Sequence, residues 1–160
     1  KRMWITFYPR ATSNQTKMLI GEYRHNLDAK GRLSVPAKFR SDLGSAAIVT
    51  KGLENCLFLY PREEWEKVME KIANLPLASA SARAFTRMRT SGAMEVEIDK
   101  LGRTLLPAYL RDYASLEGET VLAGVLNRVE IWDRASWERY SQDTQTRSSD
   151  LAEELKDWEI

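Results

Sequence analysis

The chain has 160 residues, 43% of them hydrophobic and 29% charged, which is enough apolar material for one domain core and too much for a disordered chain. One cysteine and one histidine exclude an internal disulfide and argue against a zinc finger or a His-rich metal site. Lys+Arg is 24 and Asp+Glu is 23, a formal net charge of +1, and no run approaches the roughly 18 apolar residues of a membrane span.

Residues 1–17, KRMWITFYPRATSNQTK, hold four basic residues and no acid. They show neither helical nor strand periodicity. They also lack the continuous apolar run of about 7–15 residues that a secretory signal needs. We read them as a leader, an upstream read-through or expression-derived extension, ahead of a start at Met18. The alternative is a basic arm that adds nucleic-acid affinity. Residues 18–160 carry 20 basic and 23 acidic residues, so an anion-binding surface must come from local placement of charge.

Glu22–Leu27 reads as a strand. Asp28-Ala-Lys-Gly-Arg32 reads as a turn: Asp can bond the backbone two residues on, and Gly31 supplies a positive φ. Arg32–Val35 reads as a short return strand. Pro36 then opens a short helix at its first position, with Ser34 as a candidate cap. Ala47–Thr50 and Cys56–Tyr60 read as strands joined by a hairpin loop, Lys51–Asn55. A helix over Pro61–Ile72 places Trp65, Val68, Met69 and Ile72 at i, i+3, i+4, i+7, the spacing of one buried face. Leu75-Pro76 breaks the chain, and Ser79–Thr90 reads as a connecting helix carrying Arg83, Arg87 and Arg89.

The pattern then starts again. DKLGRTLLPAYLR (Asp99–Arg111) repeats DAKGRLSVPAKFR (Asp28–Arg40) at an offset of 71, with six of 13 positions identical. Unrelated segments would share roughly one. Strands follow at Met94–Ile98, Arg103–Leu106, Thr120–Ala123 and Val129–Trp132. A Pro107 helix has Thr104 as its candidate cap, and Gly124–Arg128 forms the second hairpin loop. Gly52, Asn55 and Trp65 are echoed at offset 72 by Gly124, Asn127 and Trp137. Asp133 reads as the N-cap of a helix carrying Trp137 and Tyr140. An acidic C-terminal helix sets Leu151, Leu155 and Trp158 at i, i+4, i+7. The chain is thus a tandem duplication. Each copy is about 50 residues, below the size that usually folds alone, so the copies are expected to share one core about a pseudo-two-fold axis.

Catalytic patterns are absent: there is no GxSxG, HExxH, CxxC or GxxxxGK[ST]. His25 falls in a strand and reads as structural. Cys56 opens the apolar run CLFLY and reads as a small buried hydrophobe. The aromatic residues read as core. We expect no catalytic residue, no metal and no cofactor. What stands out is the doubled basic turn. Arg24–Arg40 holds five basic residues against one acid, Asp28; the second copy offers Lys100, Arg103 and Arg111. Arginine's planar fork matches guanine edges and phosphate oxygens. Asp28 and Asp99 stand four residues before Arg32 and Arg103 and could orient them. Two readings fit: a hairpin turn whose ion pair aligns strands, or a loop aimed at nucleic acid.

MLIGEYRHNLDAKGRLSVPAKFR, GLENCLFLYPREEW and DKLGRTLLPAYLR together closely resemble the MraZ family of bacterial proteins. The resemblance implies an α+β fold: two tandem AbrB/SpoVT-type units forming a pseudo-two-fold swapped-hairpin β-barrel with peripheral helices. It implies a cytoplasmic, nucleoid-associated transcriptional regulator, usually a repressor. Such a protein binds direct repeats in double-stranded DNA upstream of its own gene, at the head of the division and cell-wall gene cluster. It assembles with itself into a ring, commonly an octamer or dodecamer, and does not engage membranes. The DNA-binding positions carried over are Lys30, Arg32 and Arg103. Lys100 is added as the basic neighbour of Leu101, which stands where the first copy has Lys30. Asp28, Gly31, Asp99 and Gly102 are the turn-orienting positions. The expected division is 1–17 leader, 18–73 first unit, 74–91 connecting helix, 92–145 second unit and 146–160 C-terminal helix. The rival reading is an antitoxin-like protein-interaction module.

Overall fold

Alternating apolar residues, paired prolines and two Asp–Gly turns divide the chain into eight strands and six helices within residues 18–159, the residues that the computed structural model describes. The expected leader, 1–17, lies outside the described residues. The first copy contributes β1 (Leu19–Asn26), β2 (Arg32–Ser34), α1 (Ala37–Leu43), β3 (Ala46–Lys51), β4 (Leu57–Pro61) and α2 (Arg62–Ala73). After α3 (Ala80–Ser91) the second copy repeats the order: β5 (Met94–Glu97), β6 (Arg103–Leu105), α4 (Ala108–Tyr113), β7 (Glu119–Leu126), β8 (Arg128–Asp133) and α5 (Arg134–Thr146). The acidic tail divides into α6 (Ser148–Glu154) and a 3-10 turn, Lys156–Trp158.

Six strands form one antiparallel sheet in the order β1-β7-β8-β4-β3-β5, and β2 pairs with β6 in a separate two-stranded ribbon. Exchanging the copies, β1 for β5, β3 for β7 and β4 for β8, reverses that order and leaves it unchanged. Each copy therefore lends its first strand to the other: β1 lies on β7 and β5 on β3. The expected closed barrel is an open sheet plus a ribbon in its hydrogen bonding. The three-residue return strands pair with each other and do not join β1 to β5.

Successive residues of a strand face opposite sides, and β4 shows what each side meets. Leu57 and Leu59 join Leu122 and Ile131 in a core closed by Leu33 of the ribbon, Phe39 of α1 and Leu110 of α4. Phe58 and Tyr60 join Val121 and Trp132 in a second cluster under Trp65 and Val68 of α2 and Trp137 of α5. α3 lies on this second side, where the Thr50 hydroxyl donates to the Arg89 carbonyl at 2.7 Å. The ribbon, α1 and α4 therefore cover one face, and α2, α3 and α5 the other.

Several local expectations shift. Pro36 and Pro107 sit at the N-cap rather than at the first helical position. Ser34 and Thr104 do not cap these helices. They lie in β2 and β6, and the buried Thr104 hydroxyl has no hydrogen-bond partner. Gly124 belongs to β7 rather than to a hairpin loop. A Cβ there would lie 2.5 Å from the Ile20 backbone nitrogen, so the glycine admits the lent strand. The hairpin tightens to Leu126-Asn127, with Leu126 at φ 62. Asp133 does cap α5, accepting from the Ser136 N–H at 3.0 Å.

Candidate nucleic-acid interface

The first basic turn is built by one carboxylate. Asp28 Oδ1 accepts from the backbone N–H of Lys30 and of Arg32, each at 2.9 Å, and Oδ2 accepts from Arg32 Nε at 2.8 Å. The Gly31 N–H donates to the Asp28 carbonyl at 3.0 Å, and Gly31 turns the chain back toward β2 at φ +84. The second turn copies this. Asp99 Oδ1 accepts from Leu101 and Arg103 N–H at 2.9 Å, and Gly102 stands at φ +79. Its ion pair is looser, with Arg103 Nε 3.4 Å from Oδ2. The Arg32 backbone N–H, aided by its guanidinium, holds the Asp28 carboxyl down at about 2. The Arg103 backbone N–H likewise lowers Asp99.

The ribbon brings the two turns together. Arg32 pairs with Leu105 and Ser34 with Arg103. Leu33 and Thr104 point into the core, so Arg32 and Arg103 share the outer face as diagonal neighbours. Both line one surface cleft of about 400 Å3 that also holds Glu97 and Asp99. Lys30, Lys100 and Leu101 are exposed at the turn tips. The eight positions expected from the sequence thus fall into two adjoining turns.

Two arginines that close the repeated block, Arg40 and Arg111, form a crossed support. Arg40 Nε donates to the Val35 carbonyl at 2.8 Å, and its guanidinium lies against Gly102 of the other copy, where a Cβ would fall 2.0 Å from Cζ. Arg111 Nε donates to the Leu106 carbonyl at 3.0 Å and lies against Gly31, where a Cβ would fall 2.6 Å from Cζ. Backbone bonds cross in the same sense: Val35 N–H to the Gly102 carbonyl at 2.7 Å and Leu106 N–H to the Gly31 carbonyl at 3.0 Å. Each copy's helix therefore props the other copy's turn. Sequence reasoning counted these arginines only as charge; their identity in both copies was the signal.

Other candidates separate from this surface. Arg24 approaches Glu138 of α5 at 3.7 Å. His25 lies in β1 and accepts through its carbonyl from the Thr120 hydroxyl at 2.7 Å. Cys56 is fully buried and donates to the Leu53 carbonyl at 3.1 Å. Burial pushes its thiol far up, so it supplies no thiolate nucleophile. Among the described residues no His/Cys/Asp/Glu group is placed to hold a metal ion, and no helix is long and apolar enough to cross a membrane.

Comparison with known proteins matches the chain to the MraZ family, described as antitoxin-like MraZ proteins, over residues 18–88 and again over 90–158. It is 51% identical over 143 residues to the "Transcriptional regulator MraZ" of Natranaerobius thermophilus, covering 89% of this chain and all of the relative. The protein of the same name from Desulforamulus reducens is 54% identical over 140 residues, 88% of this chain and 99% of the relative. That of Moorella thermoacetica is 50% identical over 143 residues, again 89% of this chain and all of the relative.

Proposed function

The chain belongs to the MraZ family, and from that premise we propose that it is a non-enzymatic, sequence-specific DNA-binding transcriptional regulator acting as a repressor. Its ligand is double-stranded DNA carrying direct repeats upstream of its own gene, in the division and cell-wall cluster. It works in the cytoplasm, associated with the nucleoid. The observation that carries this reading is the pairing of two Asp-oriented basic turns on one exposed ribbon, each braced by an arginine from the other copy. Arg32 and Arg103 are the base-reading candidates, because a guanidinium can bond guanine bidentately. Lys30 and Lys100 at the tips are the phosphate contacts. The looser Asp99–Arg103 pair and Leu101 at the Lys30 position make the two turns unequal readers.

One subunit presents few phosphate contacts and is nearly neutral. Several subunits in a ring, on spaced repeats, would combine theirs at high effective concentration. Units 18–73 and 92–145 are the two halves of each reader, joined by 74–91. The sheet and ribbon together read as a swapped-hairpin barrel interrupted at the β1 and β5 edges.

The test is fluorescence anisotropy on the upstream duplex and on a scrambled one, titrated against salt. Binding of the native duplex with a steep salt slope is expected. Arg32→Ala should weaken it by about 1–3 kcal/mol, and Lys30→Ala should lower the slope by about one. If Arg32→Ala and Arg103→Ala together change neither affinity nor slope, the turns do not read DNA. The antitoxin-like description of the family model favours one second reading, a protein-interaction module. It predicts equal, weak binding of both duplexes.

A further inference from the structure

The outer face of the ribbon carries an apolar side chain among its arginines. Residues directly opposite in an antiparallel pair share a face. Arg32 stands opposite Leu105 and Ser34 opposite Arg103, so these four make up the outer face, with Leu33 and Thr104 buried beneath it. Leu105 is 57% exposed, although its chain neighbours Thr104 and Leu106 are both turned inward. It lines the same cleft as Arg32 and Arg103.

A solvent-facing leucine is ordinary on a protein surface. On a ribbon turned to DNA it discriminates. The major groove admits a two-stranded β-ribbon. Opposite side chains on such a ribbon stand about 4.5–5.5 Å apart, within reach of successive nucleotides about 3.4 Å apart along a strand. Asp28 fixes the Arg32 fork through Nε at 2.8 Å, and the side chain beside that fork meets the next base. The leucine side chain neither donates nor accepts. Pressed on a cytosine amino group or a purine edge, it strips water from polar atoms and returns no bond. Thymine alone presents an apolar group in the major groove, its C5-methyl. The position matched to Leu105 in the first copy is Ser34, beside Arg103. A hydroxyl both donates and accepts, so it suits any base.

We infer that Leu105 is a specificity-determining residue that reads the methyl group of a thymine next to the base taken by Arg32. Ser34 leaves the base beside Arg103 unrestricted. The two arginines thus demand different neighbours, each supplied by the other copy of the repeat. This inference rests on the proposed DNA reading, with the ribbon as its reading surface.

The test is anisotropy on the upstream duplex with its thymines replaced by deoxyuridine, one position of the repeat at a time, and on the scrambled duplex. Deoxyuridine removes the methyl group and keeps every hydrogen-bonding atom. At one position the wild type should lose about fourfold in affinity for each site engaged, the worth of one methyl group withdrawn from water. Leu105→Ala should bind the natural duplex as weakly as the wild type binds the uracil duplex, and should lose nothing more on uracil. Leu105→Ser, which copies the first-copy residue, should behave likewise, and both should keep the wild-type urea melt. Leu101→Ala, at the 68% exposed leucine of the turn tip, should keep the uracil sensitivity. Suppose the wild type prefers the native duplex to the scrambled one. If it then ignores uracil at every position, if Leu105→Ala keeps the sensitivity, or if Leu101→Ala abolishes it, Leu105 does not read a methyl group and the DNA reading stands. If the wild type does not distinguish native from scrambled duplex, the DNA reading fails and the role of Leu105 with it.

Discussion

Asp28 and Asp99 perform one task with unequal grip. The Arg32 N–H, then its guanidinium, hold the Asp28 carboxyl at about 2. A carboxylate lowered on folding contributes stability that is present above its unfolded value, near 3.9, and is lost as pH falls through the folded value. The Asp28 turn should therefore loosen between about pH 4 and pH 2. Carboxyl carbon NMR should find the Asp28 midpoint at about 2. Arg32→Ala should raise it only part of the way, because the backbone donors remain. A wild-type midpoint near 4 would remove Asp28 as the organiser of the turn. Gly31→Ala and Gly102→Ala impose side chains at φ +84 and +79, at a cost of about 1–2 kcal/mol each. The atoms nearest the new methyl are the guanidinium tip of Arg111 or Arg40, so the substitution also displaces the brace. Urea melts should read the stability change, and DNA affinity should fall further than the melts alone explain.

The strands and long helices were legible because their signals are local: alternation, apolar spacing near 3.6, and the Asp133 cap. Asp133→Ala should cost α5 its cap and the protein about 0.5–2 kcal/mol in a denaturant titration. The short helices were read one residue out. Proline fixes its own φ, yet pushes the preceding residue to extended backbone; Val35 and Leu106 therefore continue the strand direction, and Ser34 and Thr104 stay in the ribbon. The candidate turns were legible from their repetition. The props at Arg40 and Arg111 were not, because a basic residue on a short helix gives no sign of which glycine it will meet. Nor was the strand exchange legible: hydrophobic alternation fixes which face a strand buries but not which partner it takes.

At the scale of the whole molecule the sheet separates two surfaces, basic turns on the ribbon side and α2, α3 and α5 on the other. Variants on one side should leave the other intact. Arg32→Ala with Arg103→Ala should keep the wild-type urea melt while losing DNA, and loss of both properties together would show that the turns also hold the fold. The lent strands have a consequence in time. β1 pairs with β7, about 100 residues later in the chain. At the roughly 5–20 residues per second of translation, Leu19–Asn26 leaves the ribosome about 5–20 seconds before its partner exists. Until then the first copy carries an unmated strand and an uncovered core, so a nascent chain stalled after α3 is a sticky half-protein. Completion of the second copy is the event that makes the first one native, and synthesis to the last strand is itself the folding checkpoint.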